Sequence, residues 1–320
     1  MIIAILGYTG SIGGSILEYL IKRNSFKIIC VGRTIKKKPY INPRIKYYKW
    51  DFNSFEKLNL SFLKKADVVI NCVGKMNNNM KDLENTNFIF IKKLLKHITI
   101  NKLKTRLIHL GSVAVYGGEK NYFGKKKYIS ENSKIILNDL YSNSKFRGDL
   151  LIQNIVKKNL NKKFSYTILR ITNVFGGSKK SNLYKFLLFS LQFGIWIRCY
   201  ENVVFNFVHV KDVAQAVLLT ILKLKVSKNK IYIVSDDCKQ NQIYKKYEFF
   251  FKKKIIRSQL SINLIKFFIN FFPIPKKLEN LFSLISTRVF YSCRKIKSEI
   301  NFKPKFSLNK KIKFLNESKT

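Results

Sequence analysis

Acidic residues are scarce in this 320-residue chain: 18 Asp and Glu stand against 62 Lys and Arg, a formal net charge of +44. Such an imbalance raises nucleic acid or an anionic membrane as a partner. Arginine, the residue suited to bidentate base and phosphate recognition, is also scarce. The lysines are spread from end to end in short runs such as Lys36–Lys38 and Lys125–Lys127, amid abundant Ile, Asn, Phe and Tyr. That pattern reads as drift toward A/T-rich codons, and no specific nucleic-acid partner is expected. Cys30, Cys72, Cys199, Cys238 and Cys293 lie far apart, with no Cys-x-x-Cys pair and no His at ligand spacing. No disulfide framework and no metal site are expected, and a reducing cytoplasm fits best. No apolar run reaches the ~18 residues of a spanning helix. The N-terminus opens on a strand-like apolar run without a basic n-region or a small-residue cleavage site, so a cytoplasmic protein is the expectation.

With 46% hydrophobic residues the chain can nevertheless bury a large core. Met1–Leu6, Lys27–Val31, Val68–Val73, Arg106–Leu110 and Tyr166–Arg170 read as strands, several too continuously apolar for a half-exposed sheet. Ile12–Arg23, Asn85–His97 and Leu140–Lys158 read as helices between them. Such alternation predicts an α/β fold, a Rossmann-type doubly wound parallel sheet with a smaller, mainly helical C-terminal substrate domain. The expected division is a dinucleotide-binding domain over 1–175, continued by 207–240, and a substrate-binding region over 176–206 and 241–320. Within that region Leu260–Phe272 is apolar around most of a helix and flanked by Lys252–Lys254 and Lys276–Lys277. It reads as a helix covering the substrate pocket, or as an interfacial helix giving peripheral contact with an anionic membrane.

Strand Met1–Leu6 runs into Gly7-Tyr8-Thr9-Gly10-Ser11-Ile12-Gly13-Gly14, and a helical pattern follows. Gly7 and Gly10 allow a tight turn and close approach of backbone N–H groups to a pyrophosphate. Gly13 allows close helix–strand packing, so Gly7, Gly10, Ser11, Ile12 and Gly13 are candidate cofactor contacts. The second strand ends Cys30-Val31-Gly32-Arg33-Thr34. A site preferring NAD usually has a carboxylate here for the ribose 2′-OH. Gly32 with Arg33 beside it suits a 2′-phosphate, so NADP is expected over NAD. Asp51, after the third strand, is placed to accept from the adenine amino group.

Tyr141 and Lys145 stand four residues apart, which on a helix puts both side chains on one face. An ammonium near a phenol favours the phenolate and lowers a pKa otherwise ~10, making the Tyr a usable acid/base. Ser112, one element upstream, is the candidate partner.

The ordered blocks of this chain resemble the extended short-chain dehydrogenase/reductases, the NAD-dependent epimerase/dehydratase group. The blocks are the glycine loop; Asn71-Cys72-Val73-Gly74; Asn87; Leu110–Gly117; Leu169–Gly176; Phe207–Ala214; and Cys293–Pro304. The resemblance implies that Tyr141 exchanges a proton with a substrate hydroxyl or carbonyl. It implies that Lys145 holds the nicotinamide ribose and depresses the Tyr141 pKa, while Ser112 bonds the reacting oxygen. It adds Asn71, Val73, Gly74 and Asn87 as cofactor contacts and Asn173 near the substrate's phosphate. His209 is expected to be a packed, structural His. A homodimer, a nucleotide-sugar substrate and a place in surface-polysaccharide sugar synthesis are further expectations.

Departures from the pattern narrow the chemistry. Where 4,6-dehydratases and decarboxylating relatives carry a carboxylate, this chain has Ala114 preceded by Val113, which disfavours both. A 4-epimerase and a ketoreductase remain. Where many relatives carry an Arg for the diphosphate, four residues before His209, this chain has Phe205. A buried, unpaired diphosphate would be costly, so Arg288 or Arg294 is the candidate substitute, or the substrate is a lipid-linked sugar or small carbonyl compound. A non-catalytic NADP-binding scaffold or sensor on the same fold is the rival class.

Overall fold

The computed structural model describes residues 1–33, 35, 40–50, 61–76, 79–117, 122, 124–177, 182–272 and 276–308. Its centre is a seven-stranded sheet. From edge to edge the strands are Lys230–Val234, Ser165–Ile171, Arg106–Ser112, Val68–Asn71, Ile2–Leu6, Lys27–Gly32 and Ile45–Lys49. Every pairing in it is parallel. The order reverses at the first strand, and helices cover both faces: the doubly wound arrangement expected from the sequence, whose ligand crevice lies beyond the strand C-termini at the reversal.

The continuous apolar strands follow from this burial. Along the first strand, Ile3 and Ile5 enter one core cluster while Ala4 and Leu6 enter another. With side chains alternating between faces, a strand covered on both sides favours apolar residues at successive positions, and a polar one needs a buried partner. A third cluster, built on Trp196, Phe205, Phe207 and Tyr244, lies in the C-terminal region. There, helices Asn182–Phe193, Gln240–Phe251, Ile262–Phe271 and Lys276–Ser286 accompany a parallel pair of short strands, Ile195–Arg198 and Ile256–Gln259.

The helix expected over Asn85–His97 is longer than its apolar period. It begins at Met80, passes through a π-helical stretch at Glu84–Ile89 and ends at Ile100. Asn79 caps the start, its side chain accepting from Asp82 N. The helical period alone does not show a π-turn, because the extra residue shifts the apolar stripe without breaking it.

Candidate active site

At the C-terminal end of the first strand, Gly7 has φ +83°, a left-handed conformation that favours glycine. Its N–H donates to Val31 O (2.8 Å), which ties the turn to the second strand. A Cβ at Gly13 would lie 2.3 Å from Gly7 O and 2.9 Å from Tyr8 Cα, so only glycine lets helix Ser11–Ile21 approach the turn this closely. The N-cap, Gly10, makes no side-chain hydrogen bond, and the first turn carries no acid. Uncapped N–H groups at a helix start are a binding site for a phosphate. The glycine cradle therefore fits a dinucleotide pyrophosphate.

Two features beside this loop are not signalled by its motif. Tyr8 is buried against the end of the second strand, where a Cβ at Gly32 would lie 2.9 Å from its ring. A Cβ at Gly177 would lie 1.8 Å from Ser11 Oγ, so the segment after Phe175 rests on the glycine loop. Arg33 is exposed at the strand end. Asp51 lies outside the described residues.

The loop after Val68–Asn71 is held from below. Asn71 is buried; its Oδ1 accepts from Val73 N (3.0 Å) and its Nδ2 faces His109 Nδ1 (3.1 Å). Asn87, on the π-helical stretch, accepts from Lys75 N and donates to Lys75 O and to Ser144 Oγ, each at 3.0 Å. Its amide is committed to clamping the loop's backbone to helix Leu140–Lys157. Gly148 allows that approach: a Cβ there would sit 2.8 Å from Asn87 O.

Helix Leu140–Lys157 starts at a capping box. Asp139 Oδ1 accepts from Ser142 N (2.7 Å), and Ser142 Oγ accepts from Asp139 N (3.2 Å). Tyr141 is thereby fixed in the first turn, half-buried, within hydrogen-bond reach of Ser112. Ser112, at the end of the fifth strand, also caps the turn Val113–Val115, its Oγ accepting from Ala114 N (3.2 Å). One helical turn beyond Tyr141, buried Lys145 donates from Nζ to Leu110 O (2.7 Å). A Cβ at Gly74 would lie 3.8 Å from that nitrogen. Tyr141, Lys145, Ser112 and Gly74 are thus gathered at one place.

The electrostatics differ from the sequence expectation. Burial pushes the Tyr141 phenol up from its ordinary value, and the opposing influence is the Ser112 hydrogen bond. Burial also brings Lys145 down to about 8, against the pull of Asp149 and Cys72. The expected depression of Tyr141 by Lys145 is therefore not what the protein alone produces, because desolvating a phenol penalises its charged form.

Asn173 opens the short strand Asn173–Phe175, half-buried, with Nδ2 donating to Asn206 O (3.4 Å). His209 caps helix Val210–Leu222, its Nδ1 accepting from Lys211 N (3.1 Å), a structural task. Phe205 is fully buried against Phe207 and Tyr244. Arg288 donates from Nη2 to Gly124 O (2.5 Å), and its guanidinium lies 3.9 Å over the Tyr200 ring. Among the described residues no cluster of His, Cys, Asp and Glu could hold a metal, and no helix is long and apolar enough to cross a membrane.

Residues 3–235 match the model of the NAD dependent epimerase/dehydratase family. The chain belongs to that family. Membership supports a nicotinamide dinucleotide as cofactor and an enzyme that uses it. No curated protein sequence matches the chain. UDP-glucuronic acid 4-epimerase from Bacillus cereus, solved with UDP-glucuronic acid and NAD, matches at TM-score 0.73 and 16% identity, over 99% of this chain and 100% of its own. The terminal R domain from the myxalamid PKS-NRPS biosynthetic pathway matches at TM-score 0.75 and 15% identity, over 99% and 90%. RMD from Pseudomonas aeruginosa, solved with NADPH, matches at TM-score 0.67 and 15% identity, over 99% and 98%. At such identities the likeness is one of fold.

Proposed function

We propose that this family member is an NAD(P)-dependent sugar-nucleotide 4-epimerase or ketoreductase. The carrying observation is the convergence of Tyr141 and Ser112 with Lys145, one turn along the same helix and beside Gly74. A bound nicotinamide dinucleotide would supply the hydride chemistry. Gly7, Gly10, Ser11, Ile12 and Gly13 would hold the pyrophosphate of the dinucleotide, and the clamped loop Asn71–Gly74 would line its nicotinamide half. The Tyr141 hydroxyl passes a proton to, or takes one from, the oxygen on the carbon that loses or gains hydride. Ser112 donates to that oxygen as charge builds on it. Lys145 would hold the nicotinamide ribose. Its ammonium would favour the Tyr141 phenolate once a substrate oxygen replaces part of the lost solvation.

Both activities share this proton transfer; they differ in whether the hydride returns. The NAD-bound 4-epimerase among the structural neighbours supports return, and Arg33 with Gly32 supports NADPH and net reduction. The first of these also supports a substrate of the UDP-glucuronic acid type, and a place in surface-polysaccharide sugar synthesis is proposed with it. Phe205 favours a second reading of the substrate. A phenyl ring sealed in the core offers nothing to a diphosphate, which leaves Arg288, Asn173 or a lipid-linked or small carbonyl substrate.

Tyr141→Phe is expected to lower turnover by ~100-fold or more, the scale of a lost general acid/base, with dinucleotide affinity unchanged. The assay follows UDP-sugar isomerisation and NADPH oxidation in parallel. Turnover that survives the substitution would remove Tyr141 from the chemistry.

A further inference from the structure

Behind the Tyr141–Lys145 pair lies a buried charge cluster centred on Asp149, a residue that none of the motifs includes. Asp149 follows Lys145 by one more turn of the same helix and is fully buried. Its Oδ2 accepts from Arg170 Nε (3.0 Å), and Arg170 also donates from Nη1 to Tyr116 OH (2.7 Å). Its Oδ1 has no hydrogen-bond partner; His109 Nε2 stands 3.6 Å away, likewise without one. The His109 tautomer follows from its neighbours. Val73 N fixes the Asn71 amide by donating to Oδ1, so Asn71 Nδ2 is the donor to His109 Nδ1. The ring proton is then on Nε2, directed toward Asp149. Room for the carboxylate comes from Gly111, where a Cβ would lie 3.3 Å from Asp149 Oδ1 and 3.2 Å from Arg170 Cγ.

We propose that Asp149 is a positioning residue for the Tyr141–Lys145 pair: its buried carboxylate, one helical turn beyond Lys145 and bonded to Arg170 through Oδ2 alone, is the counter-charge that keeps Lys145 an ammonium. This rests on the hydride-transfer reading of the site. The groups facing the pair are known from each packed element. The helix itself contributes Tyr141, Ser144 and Asp149, with Asp139 at its cap; the fifth strand contributes His109 and Ser112. Strand Ser165–Ile171 contributes Arg170, the loop after Val68–Asn71 contributes Cys72, and Tyr116 lies beyond. Burial lowers His109 well below its usual value, so it is neutral, and keeps Cys72 a thiol at about 12. Arg170 stays charged, because Asp149 and Tyr116 outweigh its desolvation. Burial lifts Asp149 above the usual carboxylate range, and Arg170 and Lys145 oppose that lift. Among these described groups Asp149, one turn beyond Lys145 on the same helix, is the carboxylate whose charge acts on Lys145.

The test compares wild-type protein with Asp149→Asn and Asp149→Glu. The readouts are the pH dependence of turnover and, separately, of dinucleotide affinity. Lys145 sits at about 8, so both quantities fall on the alkaline side as it loses its proton. Asp149→Asn is expected to move that limb toward acid by about one pH unit, the scale of a lost opposite charge. Asp149→Glu should return it toward the wild-type position. Should the Asn variant not fold, Asp149→Ser, which leaves room for water beside Arg170, is read in the same way. A folded, dinucleotide-binding variant whose limb has not moved would overturn the proposal. If Tyr141→Phe retained turnover, the hydride-transfer reading would fail instead, and the affinity limb would still test Asp149 by itself.

Discussion

On the proposed reading, Arg33 is the residue on which the choice between NADP and NAD turns. It stands exposed just past Gly32, at the end of the second strand where an acidic side chain would meet a ribose hydroxyl. A guanidinium can pair bidentately with a 2′-phosphate, and such charge-assisted bonds are worth roughly twice neutral ones. Arg33→Ala is therefore expected to weaken NADPH by about tenfold, or ~1.4 kcal/mol, and to leave NADH nearly unchanged. Fluorescence titration with both dinucleotides measures this; equal loss for the two would make Arg33 a general surface charge. Other residues were legible by type but not by task. Asn87 and Asn71 read as cofactor contacts, yet their amides are spent on Lys75, Ser144, Val73 and His109. Both shape the loop proposed to line the cofactor, a task that a linear motif does not show.

Helix Ile262–Phe271 shows why an element's role needs its surroundings. Its sequence is apolar nearly all round, which leaves open whether it covers a pocket or lies on a membrane. Ile265 is buried with Cys199 and Ile285, and Ile262, Tyr200, Leu281 and Phe282 pack around them. Leu264, Phe267 and Phe271 are exposed, at spacings of three and four residues that share one face. The helix thus has an inner side that docks beside the Tyr200–Arg288 stack and an apolar outer stripe. Exposed Lys252–Lys254 and Lys266 flank it with positive charge. An apolar stripe beside lysines is suited to an anionic bilayer. Flotation with vesicles containing anionic lipid at physiological salt should carry the protein upward, and neutral vesicles should do so less. Absence of association with either would leave the helix as a cover alone. Phe267→Ser with Phe271→Ser should reduce flotation without changing turnover on a soluble substrate.

At the scale of the whole molecule, a charge of +44 acts on a single folded chain. Like charges spread over a compact surface repel one another, and mobile ions screen that repulsion over ~10 Å at 0.1 M salt. Ion pairs recover little of it: most recorded among the described residues are partly exposed, as Lys75–Asp82 and Lys230–Glu299 are. The melting temperature is therefore expected to rise as NaCl goes from low concentration to a few tenths molar, read by scanning fluorimetry or calorimetry. A flat or falling trend would mean that the lysines are already compensated.

The sequence by itself determined the doubly wound sheet, because strands buried on both faces must be continuously apolar while the helices between them keep a period near 3.6 residues. It also determined the glycine turn, because close backbone approach excludes a Cβ, and the Tyr–Lys register on one helix face, because four residues make about one turn. Only the tertiary structure decided that Tyr141 meets Ser112 while burial holds its phenol up, and that Phe205 closes a core instead of serving a phosphate. It alone brought Asp149, Arg170 and His109 together beneath Lys145. Those relations join strands and helices far apart in the chain, and burial, which fixes the charge of each group, is set by everything packed around it.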